Sequence, residues 1–135
     1  MPAPTAPPDP WLPAWFRRPG RLELLTGHHL RPVRDVDVDV GCPPPAPDRS
    51  GGLCDYGVFE DEEAEVLGHV VLRPPQRPGA DADVRWWVAD RLVGSELEAV
   101  LETEVPRWVR RDWPFTAPRF RGRDLTGRRP PVPPR

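Results

Sequence analysis

Residues 84–101, VRWWVADRLVGSELEAVL, begin as an apolar strand and end as an amphipathic helix. In the strand part, Val84 to Ala89, Trp86 and Trp87 must point to opposite faces, because side chains alternate along a strand. From Ser95 the apolar residues take helical spacing, and Leu97, Val100, Leu101, Val105, Trp108 and Val109 form one stripe. Glu98, Glu102 and Thr103 are expected to face outward, and Pro106 to kink the helix or start a new turn. One run therefore demands both a sheet and a helix packed on it, and the fold is mixed. The join between them, Arg91 to Glu96, carries an arginine, a glycine and a serine. It is either a plain connection with Ser95 as N-cap, or a place where backbone N–H groups hold an anion.

Proline and glycine confine the rest of the regular structure. There are 22 prolines and 11 glycines in 135 residues, enough chain for one core and not two. Residues 1–19 hold seven prolines and read as an extended lead-in, with Trp11, Trp15 and Phe16 available to pin it down. Residues 41–54 read as an irregular loop, and 125–135 as a disordered Arg/Pro-rich tail. One domain is expected over 20–124. The tail's PxxP spacings fit polyproline-reading grooves, although such matches arise readily in a chain this rich in proline.

Between these segments lie further strands. RLELLTGHHLRPV reads as two short strands about Gly27, with His28 and His29 exposed at the turn. RDVDVDV alternates as a strand does, while Asp35 or Asp37 equally suits a helix cap. Tyr56–Glu60 and Glu65–Arg73 are strands joined by the acidic run Glu60 to Glu63. The second is apolar on both faces, as in the middle of a covered sheet, and its Gly68 marks a bulge or a close backbone approach. APRFRGRD supplies one more strand.

Charge narrows the function classes. Residues 35–104 carry a balance of −12 and residues 107–135 one of +7, so the second segment invites a nucleic-acid or membrane reading. Yet every basic residue is arginine, and lysine, isoleucine and asparagine are absent, a bias that high-GC codon usage alone produces. No run interleaves arginine with aromatics, so no nucleic-acid partner is expected. Cys42 and Cys54 lack companions at metal-ligand spacing and read as ordinary thiols. No apolar stretch suits a membrane span or a signal peptide, and a cytoplasmic protein is expected.

EVLGHVVL, VRWWVAD, RLVGSE and LEAVLETEVPRW together resemble the central part of the GNAT superfamily of acyl-CoA-dependent N-acetyltransferases. Within it, they are similar to the branch that acetylates protein N-terminal amines and related small substrates. LELLTGHHLRPVRDVD resembles that family's first strand and the turn into its first helix, so the resemblance covers roughly 20–34 and 55–122. The family's motif R/Q-x-x-G-x-G/A reads here Arg91-x-x-Gly94-x-Glu96, with glutamate in place of the small residue. The resemblance implies an α+β or α/β fold, a mixed and mostly antiparallel sheet with one main helix after the central strand. It implies acetyl-CoA as acyl donor, an amine acceptor and no metal, and it leaves a homodimer open. Backbone groups of Trp87, Val88 and Ala89 would pair with the pantetheine arm. Arg91, Leu92, Val93, Gly94 and Ser95, with Glu96, would meet the pyrophosphate. Asp83 or Glu65 would serve as base, while no tyrosine stands where the family often keeps its acid. The short, proline-rich stretch from Val38 to Cys54 leaves no room for the family's two early helices, and the chain stops soon after the strand near Phe120. It reads as an abbreviated copy, or as a non-catalytic relic that binds acyl-CoA or a protein.

Overall fold

A computed structural model describes residues 12–13, 15–45, 53–61, 64–75 and 78–122. The Arg/Pro-rich tail at 125–135 and most of the lead-in's first part, residues 1–11 and 14, lie outside these. The elements are β1 (Leu22–Glu23), β2 (His28–Pro32), β3 (Val38–Asp39), β4 (Cys54–Glu60), β5 (Glu65–Val66), β6 (Gly68–Arg73) and β7 (Ala82–Val88). A 3-10 turn (Asp90–Leu92), helix α1 (Glu96–Asp112) and β8 (Pro118–Gly122) follow. Six strands form one sheet in the order β1-β2-β4-β6-β7-β8, while β3 and β5 make a small parallel pair. Every pairing in the main sheet is antiparallel except β7 with β8, which are parallel and joined through α1. That connection follows from geometry, since parallel neighbours need a crossover long enough to return the chain to its starting end. The expected mixed, mostly antiparallel sheet with one main helix is the architecture observed. No helix lies between β2 and β4 among the described residues.

The two faces of the sheet differ in what covers them. Val84, Trp86 and Val88 of β7 join Tyr56, Val58, Val70 and Leu72 beneath Leu97, Leu101, Val105, Trp108 and Val109 of α1. Trp87 points the other way and packs with Val71, Ala89 and Cys42, so the described residues just after β3 lie against that side. The lead-in is pinned by Phe16, which packs on Trp113, and by Pro19, whose carbonyl accepts the Tyr56 hydroxyl. Trp15 is instead 73% exposed.

Several expectations are corrected. His29 is buried rather than solvent-facing, because register places it across from Phe59, on which its ring stacks. Only Val38–Asp39 of RDVDVDV is strand; the Asp37 carboxylate accepts the Arg34 N–H and both Arg31 Nη groups, closing a turn ahead of it. That guanidinium holds the Asp37 carboxyl below the usual carboxylate range. Pro106 does not interrupt α1. The carbonyl that its missing N–H orphans belongs to Glu102, an exposed residue where water can take over.

Gly68 bears out the close-approach reading. A Cβ there would sit 2.7 Å from the Trp87 carbonyl oxygen and 3.2 Å from a Val58 methyl carbon. Gly68→Ala must push β6 from β7 and is expected to cost about 1–3 kcal/mol in urea unfolding. A loss below about 0.5 kcal/mol, the range of an inert surface change, would show that the strands have room to spare.

Candidate functional site

The sequence candidates converge at the carboxyl end of β7. Ala89 N–H donates to the Leu67 carbonyl at 2.8 Å, so its peptide groups, and those of Trp87 two residues back, face β6. Those of Val88 therefore face the β8 side. The last β8 partner is Gly122, opposite Trp86, so Val88 lies beyond the described end of β8. Trp87 is fixed by its indole N–H, which donates to the Pro43 carbonyl at 2.7 Å, and by the His69 ring 5.1 Å away.

The join that follows is closed by its own hydrogen bonds. Leu92 N–H donates to Ala89 O, Val93 N–H to Asp90 O and Ser95 N–H to Leu92 O, at 2.8, 3.3 and 3.0 Å. Gly94, at a φ of +83°, turns the chain into the helix in a conformation that side chains rarely tolerate. Its N–H is taken by Glu98 Oε1 at 2.8 Å, while Glu98 N–H donates to Ser95 Oγ at 3.4 Å. Glu98 is thus buried and turned back over the helix start, not outward as its stripe position suggested. Ser95-x-x-Glu98 has the spacing of a capping box, and that spacing was the signal that locates Glu98. Here the carboxylate reaches Gly94, because the Ser95 N–H already has Leu92 as acceptor.

All four N–H groups from Leu92 to Ser95 thus have internal acceptors. A pyrophosphate at this end would meet the first-turn N–H groups of Glu96 and Leu97, with the exposed Arg91 beside them. Local charge opposes it: Glu96 and Glu98 stand in the first turn of α1 and Asp90 in the 3-10 turn before it, which also carries Arg91.

The two candidate bases are separated. Asp83 sits five residues before Val88, ~17 Å along the strand, too far to take a proton at the carboxyl end. It is buried on the face away from α1 and paired with Arg85 Nη2 at 3.1 Å. Glu65 is exposed on β5, two residues before the Leu67 carbonyl that holds Ala89, and so belongs to the same end as Val88.

A buried polar group that the sequence did not reveal lies beside Trp87. His69 Nδ1 contacts Asp55 Oδ1 at 2.7 Å and its Nε2 contacts Asp39 Oδ1 at 3.1 Å. With both nitrogens engaged the ring has no free position for base chemistry; it clamps β3 onto the main sheet. Burial and the carboxylates of Asp39, Asp55 and Asp90 push the nearby Cys42 thiol up to about 12, which rules out a thiolate nucleophile at neutral pH. Nothing in the spacing of Asp39, Asp55 and His69 along the chain signals that they meet. Among the described residues, no group of three or more His, Cys, Asp or Glu is arranged to hold a metal ion, and no helix is long and apolar enough to cross a membrane. No protein-family model matches the chain, nor does any curated protein or solved structure.

Proposed function

We propose that the chain is a GNAT-like N-acetyltransferase, in which a primary amine attacks the thioester carbon of acetyl-CoA directly and displaces CoA as the thiol. The observation that carries this reading is the carboxyl end of β7. There Val88 directs its peptide groups to the β8 side, one step beyond the last described β8 partner, and a glycine turn leads into a serine-capped helix. An extended pantetheine arm pairs with such an edge as an added strand would. The pyrophosphate then lies toward the helix start and Arg91. Rate acceleration comes from alignment of amine and thioester and from N–H donors near the carbonyl oxygen. Of the two carboxylates considered, Glu65 is at the right end to receive the ammonium proton.

A second reading, a non-catalytic relic that still binds acyl-CoA, is favoured by the Glu98 carboxylate on the Gly94 N–H. One experiment bears on both. CoA at ~100-fold excess over its Kd is expected to stabilise the chain by about 2.7 kcal/mol, seen as a raised thermal midpoint. Gly94→Asp is expected to abolish that rise by placing a charge and a strained side chain at the turn. No rise with millimolar CoA would remove both readings. A rise without acetyl transfer to a panel of amines would select the relic.

A further inference from the structure

His69 of β6 stands on the sheet face away from α1, 1% exposed, with a carboxylate on each side of its ring. Asp55, on the neighbouring strand β4, places Oδ1 2.7 Å from Nδ1. Asp39, on the two-residue strand β3, places Oδ1 3.1 Å from Nε2. A neutral imidazole carries one N–H and one lone pair, so it satisfies only one ionised carboxylate. Its other nitrogen would turn a lone pair on an acceptor oxygen. The imidazolium donates from both nitrogens and fits both contacts, a buried charge with a partner on each side.

The two contacts are not equal. Asp55 belongs to a seven-residue strand inside the main sheet. Among the described residues β3 pairs with β5 alone, through Val38 N–H to the Ala64 carbonyl at 2.8 Å and Val40 N–H to the Val66 carbonyl at 3.4 Å. The Asp39 contact is the longer one, and its side chain is 35% exposed against 22% for Asp55. A ring with a single proton therefore keeps Asp55 and lets go of Asp39.

Other charges face this side of the sheet. Cys42 and Asp90 lie just beyond Asp39, and Glu65 of β5 is exposed beside β3. On β2, Arg31 is held by Asp37 and His29 stacks on Phe59; on β7, Arg85 pairs with Asp83. The Cys42 thiol, pushed up to about 12 by burial and by its acidic neighbours, keeps its proton through neutrality. Imidazole is the side-chain type in this set that ordinarily changes charge between about pH 5 and 8.

We propose that His69 is a pH-sensitive clamp: as an imidazolium it bridges Asp39 to Asp55 and holds β3 against the main sheet, and on losing a proton it releases Asp39 and β3. The donors fix the sign, so the clamp is closed on the acid side of the ring's titration and opens as pH rises through it. The segment freed in this way continues onto Trp87, where Cys42 packs on the indole and the Pro43 carbonyl accepts its N–H. The clamp works whether or not the chain binds acyl-CoA.

NMR of the isotope-labelled full chain between about pH 5 and 8 reads both halves of the device. Ring-nitrogen shifts give the protonation state of His69, and amide exchange at Val38 and Val40 gives the opening of β3. Two ring protons are expected at the acid end. As one is lost, protection of Val38 and Val40 is expected to fall at least about tenfold, the effect of losing a hydrogen bond to a charged group, while Val70 in the main sheet keeps its protection. Asp39→Asn is expected to leave β3 equally protected at both ends of the range, because an amide offers an acceptor to an N–H and a donor to a lone pair. His69→Gln is expected to hold that protection at one low value throughout. Should His69→Gln fail to fold, Asp39→Asn, at a partly exposed position, decides alone. The proposal is overturned by a ring that is neutral at the acid end or keeps one protonation state throughout. It is overturned equally by β3 protection that ignores the ring's titration, or by an Asp39→Asn chain that opens with pH as the parent does.

Discussion

Replacing Trp108 by alanine is expected to remove about 3–5 kcal/mol of folding stability, the cost of deleting a large aromatic from a packed interior. Trp108 lies on the buried stripe of α1 with 1% of its surface exposed. Its ring meets Tyr56 of β4 at 5.1 Å and Trp113 at 5.6 Å, both edge-on. Trp113 in turn packs on Phe16, and Tyr56 holds Pro19, so one side chain ties helix, sheet and lead-in together. For a domain of this size such a loss lowers the thermal midpoint by roughly 15 °C or more. Phenylalanine is expected to cost far less, about 1 kcal/mol. It keeps most of the ring contact and removes an indole N–H that is buried without a partner among the described residues. Urea unfolding followed by circular dichroism measures both variants. Equal losses for alanine and phenylalanine would mean that the N–H, not the ring packing, is what matters at this position.

The same helix shows which parts of the fold the sequence discloses. The stripe Leu97, Leu101, Val105, Trp108 and Val109 was legible because burial selects apolar residues at a fixed period, and period is a property of the sequence alone. Trp86 and Trp87 were legible for the same reason at period two. Glu98 was not, because a charge beside a stripe reads as solvated unless the Ser95-x-x-Glu98 spacing is given priority. His29 and His69 stayed hidden for another reason. What each ring meets is fixed by strand register across 14 to 30 residues of chain, and no local pattern encodes it. Arg119 and Arg121 stood in the sequence as part of a basic segment. Their position beside Asp83 and Arg85 follows only from the parallel pairing of β7 with β8. The candidate junction was therefore found as a segment, while the hydrogen bonds that close it were not.

Those bonds make Glu98→Gln the most informative substitution at the junction. Glutamine keeps an oxygen to accept the Gly94 N–H and removes only the negative charge. The helix start loses a favourable charge–dipole interaction of roughly 0.3–1 kcal/mol, and the bond to Gly94 weakens from charged to neutral. A stability loss of about 1 kcal/mol is therefore expected. CoA affinity is expected to move the other way. A carboxylate ~7 Å from a phosphate charge opposes it by about 0.6 kcal/mol at an effective dielectric of 80, and by about 2.4 kcal/mol at 20. Removing it should tighten CoA binding between roughly threefold and sixtyfold. Calorimetric titration and thermal unfolding of the same samples read the two effects separately. If the variant loses stability and gains no affinity, Glu98 is a helix cap and nothing more, and no phosphate comes near Gly94. If affinity rises and acetyl transfer to amines appears with it, the carboxylate is a brake on an otherwise competent site. A rise in affinity with no transfer favours the acyl-CoA-binding relic over the enzyme.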